Sequence, residues 1–253
     1  MSHKYSSLEV LALGGHHVTS ARRLLADGLD VTATEAGLAR AAQDVVAELG
    51  APERLLELVR DLAAGAGDPA GCARLSYRHV LGFDKLLLID DGPQHMLRAH
   101  VWHPGARSPE DIHNHRSPLA SHIVRGALRM ELYADAPAGG EAAARYQESL
   151  AERSADWLLE PAGPARLRLT QVAEYAAGSS YALPAHTLHR AWSTAPYPTV
   201  TLFLETGAER RRHTDVFLGA DAERHAPAVP KTPLGVKEYV RELEALADLI
   251  VTA

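Results

Sequence analysis

The spacing of apolar residues divides the chain into two stretches with different periods. In Thr34–Gly50 ("TEAGLARAAQDVVAELG") Leu38, Ala41, Ala42, Val45, Val46 and Leu49 recur at the spacing of one helical face, with Thr34 as cap and Gly50 as stop. Ala51–Gly65 repeats the pattern, opened by Pro52 and closed by Gly65. After the loop "AGAGDPAG" (Ala64–Gly71) the period shortens. From Tyr77 onward, short apolar runs alternate with turn signals such as "DDGP", "HPGARSPED" and "APAGG". The pattern predicts strands over Lys85–Ile89, Met96–Trp102, Ser121–Val124, Leu128–Tyr133, Arg166–Val172, Ser180–Leu183 and Thr199–Glu205, with another starting at His189. Short strands at such intervals point to a sandwich or barrel rather than to parallel βαβ units.

An alanine- and charge-rich insertion, Ala134–Pro164, interrupts the strands, and its composition predicts partly helical structure. A last helix is expected over Pro233–Ile250, with Thr232 as cap and Pro233 in the first helical position. The organisation expected is a helical extension (1–75), a β barrel (76–208, inserted near 134–165) and a C-terminal segment ending in a helix (209–253).

Composition removes several function classes. A net charge of −6 argues against a nucleic-acid partner, which would need a basic face, and the short run "ERRRH" (Glu209–His213) reads as a solvated patch. Cys72 is the only cysteine, which rules out an intramolecular disulfide and a thiolate metal cluster. No apolar run approaches the roughly 20 residues of a membrane helix, and the N-terminus lacks a signal pattern. The expectation is a cytoplasmic protein, monomer or homodimer, with no membrane or nucleic-acid partner.

The candidate chemistry lies in the histidines. In "DIHNH" His113 and His115 are two apart, so on a strand both rings share a face and can approach one ion. A lone His-x-His pair is more often two ordinary polar residues. A second stretch changes the weighing: "GSSYALPAHTLHRAW" (Gly178–Trp192) is a strand, a proline turn, and then His189 at the start of another strand.

Together these stretches resemble the two motifs of the cupin superfamily. His113, His115 and Gly126 match the first motif; Gly178, Pro184 and His189 match the second, with His186 where the family usually has glycine. The resemblance covers roughly Tyr77–Thr206 and implies a mainly β, antiparallel jelly-roll barrel with helical flanks. It implies a metal held by His113, His115 and His189 near the barrel mouth. The carboxylate that many cupins place four or five residues after the second histidine is absent, because Leu119 and Ala120 stand there. Three neutral imidazoles leave an ion's charge for the substrate to balance, which favours small anionic ligands.

Within cupins, the local sequence is most similar to thiol dioxygenases of the cysteine dioxygenase type. "IHNH", "LHRAW" and "SYRH" match that group's motifs, and the last implies that Arg78 holds a substrate carboxylate. The chain departs in having no cysteine after the first motif, and in having Glu205 at the place of the group's active-site tyrosine.

His122 and His186 are read as residues supporting the metal ligands, whereas Arg98 and Arg129 are expected at the surface. The function expected is an Fe(II)-dependent oxygenase using dioxygen on a small anionic, amino-acid-like or thiol substrate. Imidazole also suits Mn, Ni, Cu and Zn, so a redox-neutral isomerase or lyase using Mn, Ni or Zn, and a non-enzymatic ligand-binding cupin, stay open.

Overall fold

The computed structural model describes residues 15–79, 82–91, 94–105, 110–150, 157–207, 211–219, 228–229 and 231–252. The chain begins with helices α1 (His16–Gly28), α2 (Glu35–Leu49), α3 (Pro52–Ala63) and α4 (Pro69–Leu75). Strands follow: β1 (Tyr77–Arg78), β2 (Phe83–Asp90), β3 (His95–Trp102), β4 (Ile112–His113), β5 (Leu119–Arg125), β6 (Ala127–Asp135), β7 (Glu141–Leu150), β8 (Trp157–Ala176), β9 (Ser180–Leu183), β10 (Leu188–Ser193), β11 (Thr199–Thr206), β12 (Thr214–Gly219) and β13 (Ala228–Val229). Helix α5 (Val236–Val251) comes last. No helix among the described residues is long and apolar enough to cross a membrane.

The strands form two antiparallel sheets, ordered β1-β2-β3-β11-β5-β9 and β13-β8-β6-β10-β4-β12-β7. Within them, β3-β11-β5-β9 and β4-β10-β6-β8 are the two four-strand layers of a jelly roll, the first of its eight strands lying beside the last. The mainly β barrel with helices at both ends is therefore the fold observed. Gly126 makes the β5–β6 turn at φ 81°, and a Cβ there would stand 2.2 Å from Thr199 Oγ1, so the motif glycine is required on two grounds.

The six-stranded sheet is buried on both faces. On β11, Val200, Leu202 and Leu204 join the cluster formed with the helices, which includes Leu38, Val45 and Leu49 of α2 and Leu243 and Leu246 of α5. Phe203 points the other way, into the barrel, with Phe83, Trp102, Ile123 and Tyr181. The helices form where the pattern places them: Thr34 Oγ1 accepts a hydrogen bond from Gly37 N at 3.2 Å to cap α2, and Pro52 opens α3. Tyr239 of α5 donates to Leu87 O at 2.6 Å, fastening that helix to β2.

Two expectations are corrected. Among its described residues the insertion is not helical: β7 pairs with β8 on one edge and β12 on the other. Alanine's helix preference amounts to only tenths of a kcal/mol per residue, about 0.7 at most against ordinary residues, and two ladders that pair the backbone on both sides outweigh it. The final helix starts at Val236, not Pro233, with Gly235 at its N-cap position. Pro233 instead bridges to Tyr77, and Leu234 N donates to Ser76 O at 2.9 Å, so those residues are held in extended conformation against β1.

Candidate metal centre

His113 and His189 are brought together by the sheet. They are directly opposed on the antiparallel strands β4 and β10, so their side chains leave the same face. His115 N donates to Ala185 O at 3.0 Å, so the turn of the second motif holds the backbone of the first. Between the two histidines, Asn114 points away and grips β12: its Nδ2 donates to Asp215 Oδ2 at 3.0 Å and its Oδ1 accepts from Asp215 N at 2.7 Å. The His-x-His alternation thus aims two rings inward and anchors the residue between them.

The ring nitrogens are sorted by their partners. His113 Nδ1 donates to Asp111 O at 2.8 Å and His189 Nδ1 to Thr187 O at 3.2 Å; carbonyl oxygens only accept, so both rings carry their proton on Nδ1. His115 Nδ1 faces Glu205 Oε1 at 3.6 Å, longer than a hydrogen bond, and the carboxylate orients that ring by its charge. The Nε2 lone pairs of His113 and His189 are thereby left free, and the candidate ligand atoms of the triad lie within 4.8 Å of one another. His115 Nε2 and His189 Nε2 stand 3.4 Å apart. Two nitrogens about 2.1 Å from one ion, subtending about 90–110°, stand about 3.0–3.4 Å apart, so the pair fits shared coordination.

The electrostatics favour the neutral, metal-binding form. Burial, with repulsion from His113, pushes His115 down to about 4 against the opposing pull of Glu205. Burial also holds His189 well below the ordinary imidazole value, with His113 and His115 adding to the effect. For Glu205, burial alone would raise the carboxyl, but the Arg98 guanidinium and His115 outweigh it and keep it well below the usual carboxylate range. Glu205 Oε2 accepts a short hydrogen bond from Arg98 Nη1. Arg98, expected at the surface, is instead mostly buried, and it fixes the carboxylate behind His115; Arg129 is exposed as expected.

The other sequence candidates lie elsewhere. Arg78 is 66% exposed and pairs with Glu242 at 3.1 Å and Glu238 at 3.7 Å on α5, outside the barrel. Strand parity explains this: Tyr77, its neighbour, shares a cross-strand row with the inward-facing Lys85, so Arg78 must face out. His122 lies on the outer face of β5, with its ring against Gly50 at the end of α2 and Nδ1 2.8 Å from Ser180 Oγ. His186 is exposed on its turn, 3.9 Å from Glu35 of α2. The structure therefore brings the three histidines together and separates Arg78, His122 and His186 from them.

Sequence reasoning missed the barrel lining. Lys85 Nζ is framed by the rings of Phe83 (5.3 Å), Trp157 (5.7 Å) and Tyr77 (5.8 Å). His100 stacks on Phe203 at 4.7 Å, and Phe203 lies 5.8 Å from the His115 ring. The available signal was parity: Lys85 is two residues from the core Phe83, and His100 two from the core Trp102.

Neither a family model nor a curated relative matches this sequence. Solved structures that it is similar to include a chain of the DMSP lyases RdDddP and RnDddQII (16% identity, 50% of this chain and 48% of that one, TM-score 0.31). An RmlC-like cupin from Shewanella frigidimarina shares 14% identity over 53% of this chain and 83% of its own, with TM-score 0.33. The polyketide cyclase RemF from Streptomyces resistomycificus shares 14% identity over 58% and 82%, with TM-score 0.36. The chain spans about half the length of the lyase chain it matches. At these scores the likenesses decide nothing, and the architecture rests on the strand order given above.

Proposed function

We propose that the protein is a metal-dependent enzyme of cupin type, an Fe(II) oxygenase that uses dioxygen on a small anionic, amino-acid-like or thiol substrate. The observation that carries this reading is the convergence of three imidazoles, two with Nδ1 tied to backbone carbonyls and the third backed by Glu205 and Arg98. A bound divalent ion would supply Lewis acidity and open coordination positions and, as iron, access to one-electron chemistry. His113, His115 and His189 would hold it. Glu205 holds the His115 ring in orientation, and Arg98 keeps Glu205 ionised. Phe203, Phe83 and Trp102 form a buried apolar cluster that reaches the triad through Phe203, 5.8 Å from the His115 ring. With no carboxylate among the three, an anionic substrate is the natural charge partner.

A redox-neutral lyase or isomerase using Mn, Ni or Zn is the second reading, and Glu148 favours it. The β7–β12–β4 register puts Glu148, Thr214, Val216 and His113 on one face, a carboxylate on the side of the triad that could move a proton, and burial raises that carboxyl. Elemental analysis of anaerobically purified protein, followed by oxygen-electrode traces with amino acids and thiol acids, separates the two. Stoichiometric iron with substrate-dependent oxygen uptake supports the oxygenase. Manganese, nickel or zinc, with turnover under nitrogen, supports the second reading; a chain that takes up no divalent metal overturns both.

A further inference from the structure

Resting on the triad as the reaction centre, we propose that Lys85, with His100 and Lys231, forms a carboxylate-binding subsite on the covered wall of the barrel. The substrate would then be a small carboxylate bearing a second donor group for the histidine side. Three observations converge on this placement.

The first is register. Tyr77, Lys85, His100 and Thr201 form one cross-strand row over β1, β2, β3 and β11, so their side chains share the inner face. The second is an unmet charge. Lys85 is half-buried and in no salt bridge among the described residues, and Lys231 Nζ stands 4.1 Å from the same Tyr77 ring. The two ammonium groups repel one another. Burial brings Lys231 down to about 8, Arg98 and Lys85 push further in that direction, Glu148 opposes them, and Arg116 adds to the repulsion. The third is an unmet polar atom: His100 Nε2 is buried without a hydrogen-bond partner among the described residues. Burial, with Lys85 and Arg98, keeps that ring neutral, so an Nε2–H tautomer is a donor awaiting an acceptor.

A carboxylate answers all of these together. It neutralises Lys85, relieves the repulsion with Lys231 and accepts from His100, while the faces of Phe83, Tyr77 and Trp157 shield the pair from water.

The test is calorimetric titration of malonate into the full chain at pH 7, both metal-depleted and metal-loaded. The parent should bind it in both forms. Lys85→Met, which keeps the stem and removes the charge, should weaken binding at least about tenfold, and Lys231→Met about three- to tenfold. Lys85→Arg should stay within about threefold of the parent and keeps the test decisive if the Met variant fails a circular-dichroism check for folding. Arg78→Met should bind as the parent does. The inference is overturned if Lys85→Met binds like the parent, if Arg78→Met carries the loss, or if the parent takes up no malonate. Metal content reports separately on the triad. His189→Ala should lose metal yet bind malonate, so full metal in that variant removes the metal reading without touching the Lys85 result.

Discussion

β11 and β8 lie in opposite sheets and obey different rules. β11 buries Val200, Leu202 and Leu204 under the helices and Phe203 inside the barrel, and every one of its residues except Glu205 is buried. β8 has one face in water, where Leu169 and Val172 are each 46% exposed, and its polar residues are spread along its length. The helix-covered sheet is a wall stiffened from both sides and contributes Glu205, Arg98 and Lys85. The open sheet contributes His113 and His189 through short strands whose positions depend on their neighbours. The larger apolar cluster lies against one sheet, while the opposed pair His113 and His189 belongs to the other.

That division can be broken from either side. The largest effect is expected at Leu202, which is 0% exposed. Leu202→Ala should cost about 2–5 kcal/mol in urea unfolding, and a loss below about 1 kcal/mol would mean that the helices do not stabilise the wall. Next comes His189→Ala, expected to lower metal affinity by more than the roughly 100-fold typical of residues that only support a ligand, read by competition with a chelator. Glu205→Gln should reduce metal affinity by about 10–100-fold while retaining the site, because it removes the charge that orients His115.

A smaller effect concerns acid. His100 is held neutral in the folded chain well below the ordinary value of 6.5, so below pH 6.5 the unfolded chain takes up a proton that the folded chain refuses. Stability should therefore fall as pH drops below 6.5 and be independent of this group above it. In metal-depleted protein, melting curves of His100→Phe should show a shallower decline than the parent over that window; equal slopes would remove His100 from the acid response. The smallest change is expected at exposed Val172, where Val172→Ser should shift stability by at most about 0.5 kcal/mol.

The sequence made the strands, the jelly-roll class and the converging histidines legible because each leaves a local trace: alternation, turn residues, and a two-residue spacing. What it hid depends on parity and on partners far along the chain. Arg78 and Lys85 are equally cationic, yet a one-residue difference in facing puts one against α5 and the other in the barrel. From sequence His122 reads as supporting the ligands, and it lies instead on the face of β5 that the helices cover. The Arg98–Glu205 pair joins strands 107 residues apart in sequence, and only the β3–β11 register reveals it. The insertion misled because its alanines speak for a helix, whereas β12, far downstream, supplies an edge to pair with.

The second sheet also closes on itself: the first half of β8 pairs with β7 and the second half with β6, completing a loop through β10, β4 and β12. β4 is only two residues long, and it is wedged between β10 and β12. A nascent chain that has emerged past His189 already carries all three histidines, but β4 still lacks a neighbour on one side until Thr214–Gly219 follows. The three histidines are therefore supported by a strand, β12, that contributes none of them and that is joined to β4 only across a long stretch of chain.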